Sequence, residues 1–302
     1  RVMRAVRELD YHPNTAARSL ASPVLRTVGV LFRRQRSTID ANDLDYVDGI
    51  RRALEPSGLQ VVIPVMTSSA PLIELRSLVR SGSLGGAILM DVSQDDEREA
   101  MLLEEKIPTV LIGSSGCTVG APGVDTDFAQ MAHEAVKHLA GLGHRRIVAL
   151  MRETSADDAH ARQDQAQELL RAAVDLGVDV LVRQVPELAL AGSAIVGADG
   201  LVEGRSAVVS NNPAALVGLA CAAQAHGLSI PADLSVLTLG ITECHGRQGE
   251  AFSEFSVDRE AMGAAAGSLL IARLRGEPEP AEHRTLMPVF LRNRGSTVRC
   301  RS

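Results

Sequence analysis

The sequence predicts an α/β protein whose main part is two lobes of wound parallel sheets. The first observation is that strand-like apolar runs alternate with helix-like stretches from residue 27 onward, which is typical of βαβ units. The second is that the strand-like runs are many for one open sheet. The third is length: 302 residues that are 45% hydrophobic can bury a sizeable core and predict two lobes. Such sheets bind ligands at the carboxyl ends of their strands, so we expect a cleft between the lobes.

The apolar runs and the helical stretches can be placed along the chain. The strand-like runs are 27–32, 60–66, 86–90, 109–112, 146–150, 178–185, 207–210 and 235–239. The helix-like stretches are 44–55, 71–80, 95–104, 128–142, 159–176 and 214–226. Gly58 and Gly143 follow two of these helices, where a glycine commonly ends a helix.

Two helical segments precede the first strand. In residues 1–10, apolar side chains recur with helical spacing and arginines line another face, which predicts the end of a helix. Pro13 breaks that helix, Asn14 is a good N-cap for a second one, and Pro23 stops it. The second helix has about two turns, below the roughly 12–15 residues at which an isolated helix becomes marginal in water. Another surface must hold it, either the next domain or a DNA minor groove into which Leu20 wedges.

The charge is distributed unevenly. The net charge is −6, yet residues 1–36 contain eight arginines against Glu8 and Asp10. A basic head on an acidic body suits a polyanionic partner at one end, because neutralised phosphates release counterions. The alternative is an ordinary solvated basic helix.

Several classes of protein find no support. No apolar run is long enough to span a bilayer, and the first residues do not resemble a signal peptide. The four cysteines are scattered without zinc-site spacing, so we expect reduced thiols, no metal, no cofactor and a cytoplasmic location. Phosphate-loop, zinc-protease and nucleophile-elbow motifs are absent, so no enzyme is expected. His133 and His138 do not share a helical face and are expected at the surface.

At the short helix the chain resembles a known family. Tyr11-x-Pro13-Asn14-x-x-Ala17-Arg18-x-Leu20 is similar to the hinge-helix signature of the LacI/GalR bacterial transcriptional regulators. Weaker matches follow in the same order at 46–50, 140–147, 226–236 and 294–297. The resemblance implies a periplasmic-binding-protein-like core, preceded by the end of a helix-turn-helix domain and a hinge helix. It further implies that Leu20 is the minor-groove wedge and that Asn14, Ala17 and Arg18 line the groove or contact phosphates.

The resemblance also divides the chain into domains. Residues 1–26 are the end of a helix-turn-helix domain and the hinge helix, so the sequence is expected to start inside a longer protein. Residues 27–125 and 256–283 form the N-terminal lobe, and residues 126–255 and 284–302 form the C-terminal lobe. The three crossings between lobes are expected near residues 125, 255 and 284.

The resemblance and the strand ends together give candidate effector contacts. Arg162 is similar in position to the family's effector-contacting arginine, although most arginines are simply exposed. Asn211 and Asn212 match the amide–carboxylate pair after a strand, although asparagines before Pro213 also serve turns. Ser114, Phe32 and Asp91 stand at other strand ends.

The chain departs from the family pattern at positions that bear on the effector. Gly240 replaces the aspartate expected after a strand, and Asn212 replaces a carboxylate. With aromatics at only 2%, the site offers few carboxylate acceptors and few stacking rings for a sugar. An unusual effector or a decayed site both remain open.

The sequence as a whole predicts a DNA-binding transcriptional regulator, expected to be a repressor. It is expected to bind operator DNA as a homodimer under the control of a small molecule between the lobes, with no membrane partner. The alternative is the solute-binding protein of a transporter, which shares the two-lobed core.

Overall fold

The computed structural model describes residues 27–33, 41–64, 70–117, 120–153, 160–197, 204–241, 252–278 and 282–300. Within these ranges the chain forms two six-stranded sheets, each carrying helices of its own. None of the helices in these ranges is both long and apolar enough to cross a membrane.

In the part of the chain that the structure describes, the first lobe contains the first sheet and four α-helices. Its strands are β1 (Thr27–Phe32), β2 (Gln60–Val62), β3 (Gly86–Met90), β4 (Thr109–Ile112), β5 (Gly123–Thr126) and β11 (Arg284–Met287), and its helices are α1 (Ala41–Leu54), α2 (Pro71–Arg80), α3 (Glu97–Glu104) and α8 (Arg259–Leu274). The order across the sheet is β11-β5-β4-β3-β1-β2, and every pairing is parallel. The central β3 and β4 are buried along their whole length, as expected for strands covered by helices on both faces.

The second lobe has the same plan. Its strands are β6 (Arg146–Arg152), β7 (Asp179–Val185), β8 (Ala207–Ser210), β9 (Ser235–Leu239), β10 (Ser253–Ser256) and β12 (Phe290–Arg292), and its helices are α4 (Phe128–Gly141), α5 (His160–Leu176), α6 (Ala189–Gly197) and α7 (Pro213–Ala225). The order is β12-β10-β9-β8-β6-β7, with β12 antiparallel to β10 and the other pairings parallel.

Within the described residues the chain passes between the lobes three times, at the same edge of both sheets. It leaves the carboxyl end of β5 for the start of α4, and it leaves the carboxyl end of β10 for the start of α8. The third crossing runs from the carboxyl end of β11 to the start of β12, which lies at that edge because β12 is antiparallel. The carboxyl edges of the two sheets are therefore adjacent.

The third crossing lies later in the chain than expected. Residues Arg284–Met287 pair with Gly123–Thr126 in the first sheet, so the crossing follows residue 287 and not residue 283. Likewise β10 extends through Ser256, which places that residue in the second lobe. Strands of three or four residues at a crossing are too short to show a clear hydrophobic pattern. The sheet to which each belongs is therefore known only from its pairing in the structure.

Glycines allow two helix pairs to pack with their backbones close together. A Cβ on Gly49 in α1 would lie 2.0 Å from the Glu260 carbonyl oxygen of α8, and one on Gly263 would lie 2.1 Å from the Tyr46 oxygen of α1. The second lobe repeats the device, because a Cβ on Gly192 in α6 would lie 1.6 Å from the Ala215 oxygen of α7. These backbones approach to distances that any side chain would prevent.

Candidate functional site

Asn211 lies at the carboxyl end of β8 in the second lobe and is 7% exposed. Its Oδ1 accepts the Arg152 backbone N–H over 2.8 Å, and its Nδ2 donates to Gln165 Oε1 over 2.7 Å. Gln165 is itself buried, and its amide Nε2 lies 3.5 Å from Met131 Sδ on α4. The side chain of Asn211 thus connects β6, β8 and α5 where the two lobes meet.

Asn212 is fully buried and has a different role. Its Oδ1 accepts the Ala215 N–H, which caps α7, while Nδ2 donates to the carbonyls of Val185 and Pro186. Both amide hydrogens and the oxygen are therefore used by the backbone. The structure favours the turn and capping alternative for this residue, because its amide is saturated and out of reach of a ligand.

A charged residue borders the same edge of the second sheet. Arg152 ends β6, and its Nη2 lies 3.2 Å from the Glu187 carboxylate just beyond β7. The Arg152 side chain is 16% exposed, whereas that of Glu187 is 42% exposed. The pair places a cation and an anion beside Asn211.

A buried ion pair builds the corresponding edge of the first lobe. Asp96 caps α3, and it accepts two hydrogen bonds from the Arg98 guanidinium, at 2.9 and 2.7 Å. The same guanidinium donates to the carbonyls of Leu31, Met90 and Asp91 at the ends of β1 and β3. Arg98 therefore ties two strand ends to α3 and consumes its donors in doing so.

The pKa of Asp96 reflects this environment. Burial acts most strongly and would raise the pKa, but the hydrogen bonds and the charge of Arg98 outweigh it. The pKa of Asp96 is held below its ordinary value, so the pair is ionised at neutral pH.

Three of the candidate residues lie at the same edge of the first sheet as the Asp96–Arg98 pair. Asp91 has a φ of +52°, a left-handed conformation at the end of β3 that few non-glycine residues adopt. Ser114 follows β4, and its Oγ accepts the Gly116 N–H. Phe32 ends β1 and packs partly buried against the main core. All three lie at the carboxyl edge, as the sequence predicted, and none of the three is fully buried.

The remaining candidates cannot be placed in the same way. Arg162 lies in the first turn of α5, but its side chain falls outside the described residues. Asn14, Ala17, Arg18 and Leu20 lie wholly outside them, as do the first twenty-six residues. Their roles stay predictions.

A charged cluster stands at the crossings. Asp125 at the end of β5 is 3% exposed and accepts a 2.6 Å hydrogen bond from Arg284 of β11. Tyr46 of α1 lies near Arg259, Asp43 and Asp125, and loss of hydration raises the pKa of its hydroxyl to about 12 despite the opposing effect of Arg259. Sequence reasoning missed this cluster and also Arg98 and Gln165, because their partners are distant in the chain.

The two histidines of α4 are not both free at the surface. His138 Nε2 lies 2.9 Å from the Thr297 hydroxyl, and its ring packs edge-on against Phe255. The expectation of a surface position for His138 is therefore corrected: the C-terminal segment covers it. Among the described residues, no group of three or more His, Cys, Asp or Glu could hold a metal ion.

Two linked α/β lobes whose parallel sheets meet at their carboxyl edges, with polar groups at those edges, are the architecture of periplasmic-binding-type proteins. A family model described as "Periplasmic binding protein-like domain" matches residues 136–297. The chain is 26% identical over 287 residues to the HTH-type transcriptional regulator CelR of Thermobifida fusca, covering 91% of this chain and 83% of that protein.

Solved structures show the same fold over nearly the whole chain. A CelR–cellobiose complex superposes with a TM-score of 0.78 at 23% identity, covering 98% of this chain and 89% of that one. A Lac repressor dimer bound to operator and the anti-inducer ONPF gives 0.76 at 20% identity, covering 95% and 99%.

The chain belongs to the periplasmic-binding-protein-like domain family, and within it to the LacI-type transcriptional regulators. Its function is regulatory and not catalytic, since its relatives are transcription regulators. The transporter alternative is not favoured.

Proposed function

We propose that this regulator holds a small polar effector between its lobes and that the effector changes its affinity for operator DNA. The observation that supports this most directly is the meeting of both carboxyl edges at all three crossings. A molecule bound there touches both lobes at once, so it stabilises one relative orientation of the lobes over others.

In this proposal the two lobes offer different contacts. Asn211 has one amide hydrogen with no partner among the described residues, and Asp91 and Ser114 approach from the first lobe. Arg162 is the further contact implied by the family resemblance, and Phe32 supplies an apolar surface. Asn212 serves as the cap of α7 that positions Asn211.

The DNA contacts in this proposal lie at the other end of the chain. Leu20 wedges between base steps of the minor groove, while Asn14, Ala17 and Arg18 line the groove or the phosphates. The protein acts as a homodimer, because two short hinge helices together form one minor-groove element. The operator-bound Lac repressor dimer is a precedent for this arrangement. In this proposal, binding to operator DNA implies a cytoplasmic location, where cysteines are kept reduced.

A thermal-shift screen tests the effector. The panel contains cellobiose, the ligand of the related CelR structure, together with other sugars, nucleosides and carboxylates. A compound that binds the native state raises the melting temperature, by an amount that grows with concentration over Kd. If no compound in a broad panel shifts the melting temperature, the proposal of a working effector site fails.

The variant Asn211→Ala tests whether a compound found in this screen binds at Asn211. It removes the amide that joins β8 to α5, so the ligand-induced shift should fall by at least half. Asn293→Ala is the control, because Asn293 follows β12 at the opposite edge of the second sheet, where its Oδ1 accepts the Gly295 N–H. An equal loss of the ligand-induced shift in both variants would contradict a site at Asn211.

A further inference from the structure

Arg259 is the first residue of α8 and is only 5% exposed, although it carries a charge. A guanidinium is rarely taken out of water unless its donors are satisfied. The helix that carries Arg259 packs on α1 and on β3, β4 and β5, so the residue belongs to the first lobe.

The partners of Arg259 lie in both lobes. Its Nη2 donates to the Gly240 carbonyl over 2.7 Å, and Gly240 directly follows β9 of the second sheet. Within its own lobe, Arg259 hydrogen-bonds the Tyr46 hydroxyl of α1. One side chain thus joins the two lobes beside the crossing.

The Arg259–Gly240 hydrogen bond spans the second crossing. The chain leaves β10 at Ser256 and re-enters the first lobe at the Asp258 cap of α8, only three residues from Ser256 to Arg259. Gly240 is itself fixed to β10, because its N–H donates to the Phe255 carbonyl over 2.7 Å. Rotation of one lobe about this crossing changes the position of Arg259 relative to Gly240 and so strains or breaks their hydrogen bond.

Gly240 is also where the candidate ligand edge begins. It has a φ of +66°, and no atom of the described residues beyond its chain neighbours lies within 4 Å of a Cβ built on it. A molecule that contacts the turn acts on the carbonyl that Arg259 holds. Gly240 therefore belongs both to the hydrogen bond that joins the two lobes and to the edge at which we expect the ligand.

We infer that Arg259 is a positioning residue that fixes the relative orientation of the lobes through its hydrogen bond to Gly240 while Tyr46 holds it in the first lobe. This rests on the proposed function, in which lobe orientation carries the signal. The residue contacts neither the effector nor DNA, and it sets how readily the crossing moves.

Hydrogen–deuterium exchange on the ligand-free full chain tests the inference. Arg259→Gln removes the charge-assisted bond, which we expect to accelerate exchange at 126–128, 238–241 and 256–259 by roughly tenfold or more. Exchange in the central strands β3 and β8 should not change. Arg275→Gln is the control, since Arg275 follows the same helix with its side chain 64% exposed and should leave all of these rates unchanged.

Unchanged exchange at the crossings, or uniform acceleration throughout both lobes, would overturn the inference, because the latter signifies a general loss of stability. If Arg259→Gln gives no folded protein, Tyr46→Phe keeps the guanidinium and removes only the Tyr46 hydroxyl to which it donates. That variant should accelerate the same three segments by a smaller factor, and no acceleration would again overturn the inference. Because the exchange experiment uses ligand-free protein, its outcome does not depend on the effector screen, and failure of one can be distinguished from failure of the other.

Discussion

At the scale of single residues, the polar side chains at the carboxyl edges of both sheets mostly form hydrogen bonds with backbone groups. Asn212 caps a helix, and Arg98 ties strand ends together. Asn211 combines two such structural bonds with an amide hydrogen that has no partner among the described residues. A rigid frame of this kind lets a few groups recognise a ligand precisely.

The Asp96–Arg98 pair should be essential to the first lobe. Asp96→Asn leaves the guanidinium buried without its carboxylate, and this should reduce the free energy of unfolding by about 3–5 kcal/mol in urea denaturation. Arg76→Met is the control, because Arg76 pairs with Glu104 over 3.4 Å with both side chains well exposed. Its cost should not exceed about 1 kcal/mol. Similar costs in the two variants would contradict a special role for the buried pair.

His144 should make stability fall on mild acidification. It is 2% exposed, lies 2.6 Å from the Ser206 hydroxyl and 3.0 Å from the Val298 carbonyl, and burial lowers its pKa against the opposing effect of the carbonyl. Below the ordinary histidine value of 6.5 the unfolded chain binds a proton that the folded chain does not. The melting temperature should therefore drop as pH falls from 7 towards 5.

The comparison for that prediction is His144→Gln, whose amide can donate and accept but does not titrate. It should be less stable at pH 7 and should lose less on acidification than the wild type. His226→Gln, at an exposed position, should follow the wild-type pH profile. If the melting temperature of His144→Gln fell on acidification by as much as that of the wild type, another titrating group would be responsible.

At the scale of elements, the long periodic segments could be predicted and the short or uniform ones could not. Strands such as β1 and β8 are continuous apolar runs, and α2 is bounded by Pro71 and the turn at 81–82, so the bounds of all three could be predicted from the sequence. By contrast, α6 and α8 are rich in alanine and glycine, which weakens any amphipathic pattern. The paired strands β5 and β11 lie far apart in the chain, so only the tertiary structure shows that they form a pair.

The candidate site divides in the same way. The strand ends predicted from the sequence put Asp91, Ser114 and Asn211 at the carboxyl edges of the sheets, because parallel strands present all their carboxyl ends together. The structure has them at those edges, and their contact with an effector stays a prediction. The sequence could not show that Asn212 is saturated or that Arg98 and Arg259 are buried. Those facts depend on contacts such as Arg98 with Leu31, 67 residues apart.

The glycine contact between α1 and α8 should not tolerate a methyl group. Gly49→Ala improves helix propensity, but its Cβ would lie 2.0 Å from the Glu260 oxygen, so the helices must separate. We expect a loss of about 1–3 kcal/mol or more in thermal or urea unfolding. Gly141→Ala, which ends α4 with no atom within 4 Å of the new Cβ, should instead be neutral or stabilising by up to about 1 kcal/mol. Equal outcomes would mean that the helices are not in close contact.

At the scale of the whole molecule, two lobes joined by three short crossings form a body whose simplest motion is rotation about one edge. The apolar core continues across that edge, since Ile112 of the first lobe, Met131 of the second and Val257 of a crossing belong to one cluster. Rotation is therefore restrained and not free. Restraint of this kind is what allows a ligand between the lobes to select among a few orientations.

The uneven charge of the chain gives a prediction for DNA binding. Eight of the arginines lie in residues 1–36, so binding of the intact protein to its operator should weaken steeply with salt. If Arg18 contacts a phosphate, Arg18→Gln should reduce the slope of log K against log salt by about 0.9, in addition to lowering affinity. Leu20→Ala should lower affinity at every salt concentration while the slope stays unchanged, because an apolar wedge releases no counterions.

Fluorescence anisotropy over a salt series measures both quantities. Arg275→Gln, far from residues 1–36 in the sequence and exposed on the first lobe, should alter neither the slope nor the affinity. A change of slope in Leu20→Ala, or an unchanged affinity, would remove the wedge role from Leu20. In that case the short helix would be better explained by the alternative of packing against the next domain, and the lobes would have to act on DNA through another segment.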